Sequence, residues 1–151
     1  MGEARRKTKP EDSEKSCRCM IYLLDTNILV NFLRGREGTK NFLIALSKQG
    51  SFAISVITYG ELLYGAHKST AYQKEKERIR HLVDDFRIVV FPLNAPVMEV
   101  YAGAKSGLKR SGNMPDDFDL LIGATAVTSQ SMLVTENIRH FQRFPGIELA
   151  K

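Results

Sequence analysis

Short apolar runs alternate with stretches of helical periodicity along this chain, and that alternation narrows the folds open to it. MIYLL precedes Asp25, FAIS fills residues 52–55, RIVVF residues 87–91 and MLV residues 132–134. Strand-like runs separated by helical segments argue for a parallel α/β sheet, because parallel neighbours need long crossover connections. Ligands of such sheets bind outside the carboxyl ends of the strands. Chemistry is therefore expected where the apolar runs stop.

The connecting segments read as helices. Residues 27–34 should be helical and stop near Gly35, and Thr39 is placed to cap a second helix that runs through Lys48 to Gly50. A third helix is expected over residues 56–66, where Gly60 and Gly65 would let other backbone approach closely. Tyr72, Ile79, Leu82, Val83 and Phe86 recur at three- to four-residue multiples, as on one helical face. Lys74, Lys76, Arg78 and Arg80 share that helix with Glu75 and Glu77, a solvated face. Val97, Tyr101, Ala104 and Leu108 mark a helix ending near Gly112, and Pro115-Asp116-Asp117 opens another with Leu120, Leu121, Ala124 and Val127 on its buried side. Residues 137–144 read as a short last helix and residues 147–149 as an edge strand.

With 151 residues, 43% hydrophobic and 26% charged, the chain has room for one domain with a sizeable core and the composition of a soluble globular protein. No apolar run approaches the roughly 20 residues that span a bilayer, and no signal-peptide pattern precedes the first strand. A cytoplasmic protein without membrane association is the expectation. Residues 1–19 lack apolar periodicity and read as a disordered basic and polar extension, with the folded part at 20–150 and Met20 as an alternative start of translation. Of the formal charge of +5, six basic against four acidic residues leave +2 in that extension and +3 beyond it. Such mild basicity is compatible with nucleic acid and does not demand it. Cys17 and Cys19 are too close for an easy disulfide and lack the spacing of a zinc site, and His67, His81 and His140 form no helical ligand pair. Zinc chemistry is disfavoured.

Four carboxyl or amide side chains stand at or beside the ends of apolar runs: Asp25, Glu61, Asp119 and Asn137. Each has a bland reading. Asp25 or Thr26 can cap the following helix, Glu61 can face solvent, Asp116, Asp117 and Asp119 can complement a helix dipole, and Asn137 can cap the last helix. Three carboxylates within four residues nonetheless exceed what one cap requires, and their repulsion would raise their pKa values unless a cation were bound. A shared all-oxygen site suits Mg²⁺ or Mn²⁺, and such a site suits phosphodiester hydrolysis.

The segments LLDTNILV, ISVITYGELLYGA, DDFDLLIGATA and LVTENIRHFQRFPGIEL occur in that order and together span residues 20–150 with their connecting helices. This pattern resembles PIN domains, specifically the VapC-type toxins of prokaryotic toxin–antitoxin pairs. The resemblance implies a three-layer α/β/α fold with a central, mainly parallel sheet of four to five strands. It also implies an Mg²⁺- or Mn²⁺-dependent endoribonuclease, a homodimer, and a cognate antitoxin whose carboxyl-terminal segment lies across the site. Asp25, Glu61 and Asp119 match the family's acidic metal-binding positions, and Asn137 falls on the fourth, which leaves a second metal open. Thr26 and Asn27 match the pair that orients the first Asp, Ser55 and Thr58 match polar positions near the site, and Asp117 is an auxiliary carboxylate. Lys105, Lys109 and Arg110 are candidates for RNA phosphate contacts.

Two other enzyme classes fall away on motif grounds. The third strand ends Val90-Phe91-Pro92 without the phosphoacceptor Asp of a receiver domain, and no GxxxxGK[ST] loop is present. The remaining alternative is a PIN-fold module without turnover that binds RNA or a protein partner. Retention of Asp25, Glu61 and Asp119 argues against it.

Overall fold

The computed structural model describes residues 19–112 and 114–150. Five strands, β1 (Met20–Leu24), β2 (Gly50–Ser55), β3 (Val89–Phe91), β4 (Met132–Val134) and β5 (Glu148–Leu149), form one sheet in the order β3-β2-β1-β4-β5. Every pairing is parallel. The chain moves outward from β1 to β2 and β3, then crosses back to place β4 on the other side of β1. The strand order thus reverses between β1 and β4, the kind of switch point at which α/β sheets open a crevice.

Alternation along the strands explains the three layers. Tyr22, Leu24, Phe52, Ile54 and Val134 point to one face, where they pack with residues of α1 (Thr26–Leu33), α2 (Glu37–Ser47), α3 (Val56–His67) and α4 (Tyr72–Asp85). Leu23, Ala53 and Leu133 point to the other, against Ile122 and Ala126 of α6 (Asp117–Thr128) and Phe141 of α7 (Ile138–Phe141). Outside α6, helix α5 (Ala95–Arg110) adds Val97, Ala104 and Leu108 to a third cluster with Leu120, Ala124 and Phe144. Strands covered on both faces read as continuous apolar runs, which is why β1 and β4 show no polar alternation. Among the described residues, no helix is long and apolar enough to cross a membrane.

Helix α6 departs most from its one-sided sequence reading. Residues 122–126 are all buried, because the helix lies between the sheet and α5, with Ile122 and Ala126 packed against the sheet and Ala124 against α5. Gly123 belongs to that fit: a Cβ there would stand 2.8 Å from the Phe144 ring.

Other differences are local. Helix α2 starts after Arg36, not at Thr39, which lies inside its first turn; Arg36 offers no side-chain cap, and Glu37 supplies the acidic first-turn residue that the dipole favours. Gly50 does not end that helix but opens β2, where a Cβ would meet the Met20 carbonyl oxygen at 2.2 Å. Strand β3 starts at Val89 because Arg87 adopts a positive φ of 50°. Gly60 and Gly65 face open space and mediate no close approach. The charge run on α4 is a solvated face, with Arg78 paired to Glu75 at 2.9 Å. The extension expected over residues 1–19, including Cys17, lies outside the described residues except for Cys19, which is a free, exposed thiol.

Candidate active site

Strand β1 ends when Asp25 caps α1: its carboxylate accepts the Thr26 backbone N–H at 2.7 Å, and its own N–H donates to the Val134 carbonyl at 2.9 Å. Asp25 is 3% exposed. Its second oxygen accepts from Thr135 Oγ1 at 2.6 Å and from Asn27 Nδ2 at 2.9 Å. Asn27 also accepts the Glu136 backbone N–H at 3.2 Å, so it ties the end of β1 to the end of β4. A second tie is Asn31 Nδ2 donating to Glu136 Oε1 at 2.8 Å. These bonds fix Asp25 at the floor of the switch-point crevice.

Glu61 reaches the same place from the second turn of α3. Ser55 caps that helix by accepting the Ile57 N–H at 3.2 Å, and both Ser55 and Thr58 are fully buried. Thr26 Oγ1 donates to Glu61 and lies 3.4 Å from Thr58 Oγ1. Thr26 therefore joins Asp25 to Glu61 through one residue, its backbone serving the first carboxylate and its hydroxyl the second.

Asp119 sits in the first turn of α6, which Asp116 caps through the Phe118 N–H at 2.8 Å. Its Oδ2 lies 2.7 Å from His140 Nδ1 of α7. The structure separates the three aspartates by helical rotation. Asp117 turns away to α5, accepting from Lys105 Nζ at 2.6 Å and Tyr101 Oη at 2.9 Å, whereas Asp116 and Asp119 stay on the side of Glu61. Hydrogen bonding to Lys105 holds the Asp117 carboxyl below its usual range, and the same bond raises the Lys105 ammonium. Lys109 and Arg110 are exposed in the last turn of α5. Asn137 is exposed at the start of α7, and its backbone N–H donates to Thr135 Oγ1 at 3.0 Å.

The electrostatics follow from this crowding. Burial pushes the Asp25 carboxyl above its ordinary value, with the Asp119 charge adding to the rise and hydrogen bonds from Thr135, Thr26 and Asn27 opposing it. Glu61 is raised by burial first and then by Asp25, Asp119 and Asp116, against the Thr26 hydrogen bond. The positive ends of α1, α3 and α6 face these carboxylates and offset part of the repulsion. In this arrangement no three His, Cys, Asp or Glu side chains among the described residues stand close enough to hold an ion. Asp119 and Glu61 each have a partner of their own in His140 and Thr26. The donors themselves are oxygen atoms of the kind a hard divalent cation takes.

The PIN domain family model matches residues 22–147, nearly the whole sheet and all its helices. The chain belongs to the PIN domain family. Ribonuclease VapC2 of Rickettsia felis is 35% identical to this PIN domain over 133 residues, 86% of this chain and 96% of the relative. The tRNA(fMet)-specific endonuclease VapC of Shigella flexneri is 30% identical over 126 residues, 83% and 93% of the two chains. Among solved structures, VapBC2 from Rickettsia felis bound to a DNA fragment from their promoter matches with a TM-score of 0.80 and 31% identity, over 87% of this chain and 98% of that one. PIN-domain ribonucleases are metal-dependent in general.

Two side chains of the site had no role in the sequence reading. Thr135 was visible only as the residue after the fourth apolar run, and His140 only as one of three scattered histidines. Strand order brings them in: β4 lies beside β1, so residues 110 positions apart share a hydrogen bond.

A pH experiment follows from the raised Glu61 pKa. A carboxyl raised in the folded state binds more protons there than in the unfolded chain between its two pKa values, so its contribution to stability falls as pH rises through that window. In EDTA, Glu61→Gln is expected to melt about 1–3 °C above the parent at pH 7 and to lose that advantage below about pH 4, where Glu is protonated in both states. A lower Tm for the variant at pH 7 would show that the Thr26 hydrogen bond outweighs the crowding.

Proposed function

We propose that this PIN domain is a cytoplasmic VapC-type toxin, an endoribonuclease that hydrolyses RNA phosphodiester bonds with an Mg²⁺ or Mn²⁺ ion. Asp25, Asp119 and Glu61 would hold the ion, and the Asn137 amide would complete the rim of the site. One observation carries the reading: Asp25 just after β1, Glu61 of α3 and Asp119 of α6 converge on the switch-point crevice, where the Asp25 and Glu61 carboxyls are raised and Asp119 adds to both rises, and among the described residues no lysine or arginine is bonded to them. Their repulsion is what a divalent cation would relieve.

The ion would supply positive charge to the phosphoryl oxygens and lower the pKa of a water for attack at phosphorus. The chain's own residues set the geometry for that chemistry. Asp25 is immobilised by three hydrogen bonds, so it need not be ordered during reaction. Thr26 couples Glu61 to Asp25, and His140 holds one oxygen of Asp119 so that the other is left for the ion. Thr135 and Asn27 act through Asp25 as positioning residues. In the hydrolysis the water oxygen would bond to phosphorus as the P–O bond to the leaving oxygen breaks, and that oxygen would take the proton the water gives up.

The name of the Shigella flexneri relative makes transfer RNA the first substrate to try, and the VapBC2 assembly supports a cognate antitoxin as partner. A homodimer belongs to the same reading. Lys105 is already paired with Asp117, so Lys109 and Arg110 are the cations on α5 without an ion-pair partner among the described residues, left for outer phosphates.

The test is cleavage of a transfer RNA pool by purified protein in Mn²⁺ and in EDTA, with Asp119→Asn beside the parent. Discrete fragments that need both the metal and Asp119 are expected, with a loss of at least about a hundredfold in the variant. If parent and variant leave the pool equally intact in Mn²⁺, a PIN-fold module that only binds is the better account.

A further inference from the structure

The acid cluster has an open basic cleft beside it. Arg139, His140 and Arg143 line one wall and Met114, Pro115 and Asp116 the other, around a volume of about 190 Å³. Arg139 lies on α7 and Arg143 in the turn just after it, and both side chains line this cleft. Both are exposed, and neither makes an ion pair or a hydrogen bond among the described residues. Asp116 is the one carboxylate among the described residues that line the cleft; its Oδ1 accepts the Phe118 N–H at 2.8 Å, and it pairs with neither guanidinium. Between the two arginines in the wall stands His140, whose ring touches Asp119. The cleft is therefore continuous with the candidate reaction centre.

The charge balance of the site gives the cleft a task. Asp25, Asp119 and Asp116 each act electrostatically on Glu61, and a single divalent ion offsets only two of these four charges. An RNA strand adds a charge at every phosphate, so the flanking phosphates need cations within about one Debye length, roughly 8 Å at physiological salt. Lys105 cannot provide one without giving up Asp117. Arg139 and Arg143 carry free charge next to His140, and a guanidinium fork matches two phosphate oxygens.

We infer that Arg139 and Arg143 form a phosphate-binding cleft for the RNA backbone next to the scissile bond. The inference rests on the ribonuclease reading. Phosphate contacts of this kind position a strand without reading its sequence, so the cleft sets register and affinity and leaves base preference to other residues.

The test uses the full chain and a fluorescein-labelled 15-nucleotide poly(U) RNA in EDTA, with binding followed from 50 to 200 mM NaCl. Arg139→Gln/Arg143→Gln is expected to bind about tenfold more weakly at 50 mM and to flatten the log–log salt slope by about 1.4, the value for two lost contacts on a single strand. Arg139→Lys/Arg143→Lys should keep the slope. Lys74→Gln/Arg80→Gln makes the same charge change on the solvated face of α4 and should leave both quantities near the parent's. An unchanged slope in the arginine double variant, an equal effect in the α4 variant, or no measurable binding by the parent overturns the cleft. The two readings fail separately: binding with the expected slope but no metal-dependent cleavage removes the ribonuclease alone. Cleavage with parental binding in the double variant removes the cleft alone.

Discussion

Asp25→Ala is expected to lower metal-dependent RNA cleavage by well over a hundredfold while leaving the metal-free protein folded. Removing a side chain that merely supports a metal ligand costs about 10–100-fold in affinity or activity, and Asp25 is placed as the ligand itself. The rest of the expectation comes from opposing terms in the fold. The substitution leaves the Thr26 N–H without its cap and the Thr135 hydroxyl and the Asn27 amide without their carboxylate partner, but the last two keep another: Asn27 Nδ2 lies 3.4 Å from Thr135 Oγ1, and Asn27 Oδ1 accepts the Glu136 N–H. Against those losses stands relief of a buried charge that burial itself disfavours. The metal-free Tm should thus move by only a few degrees. The readout that separates a lost ligand from a damaged fold is the metal-induced shift. An ion present at a hundredfold its Kd stabilises a protein by about 2.7 kcal/mol, which is several degrees in a domain of this size. Mn²⁺ should raise the Tm of the parent by that amount and leave Asp25→Ala unmoved. An equal shift in both proteins would place the ion elsewhere.

How much of this was legible beforehand depends on how far each feature reaches along the chain. Strand β4 covers residues 132–134 as its apolar run implies, and α1, α3, α4 and α5 fall within two residues of the periodic patterns. Those elements are set by neighbours a few positions away. Asp25, Glu61 and Asp119 could be picked out because each stands at or beside the end of an apolar run, and the family pattern agreed with all three. The partners of these acids could not be. Thr135 meets Asp25 only because β4 pairs with β1, and nothing local to LVTEN encodes that order. His140 meets Asp119 only after α7 has docked beside α6. The aspartates of PDDFD illustrate the same limit on a finer scale. Successive helical residues turn by about 100°, so Asp116 can cap and face Glu61 while Asp117 faces Lys105. Composition treats the three alike, and only the packing of α5 against α6 tells them apart.

Phe141→Ala is expected to cost about 3–5 kcal/mol of stability, the range for truncating a buried aromatic ring, and to impair cleavage at temperatures where the variant is still folded. Phe141 is 1% exposed and packs under the sheet with Leu23, Ala53, Ile122, Ala126 and Leu133. Helix α7 has four residues and no side-chain cap. A helix that short does not hold itself together in water, so its place is set by this ring and by Phe144, whose N–H donates to the Phe141 carbonyl at 2.8 Å. The neighbours on α7 have the opposite character: Ile138 and Arg139 are exposed, and His140 reaches out to Asp119. One buried residue therefore anchors the segment that carries His140 to Asp119. In urea the midpoint should fall with little change in m, the sign of a stability change without a change in the unfolded ensemble. Phe141→Leu, which refills much of the space, should lose less than Phe141→Ala, and Ile138→Ala, which empties nothing buried, should lose least. If activity followed stability alone, all three variants would cleave RNA at the parental rate well below their melting points. A slower rate in Phe141→Ala under those conditions, with Ile138→Ala unaffected, would show that the hydrophobic anchor is also what keeps His140 against Asp119.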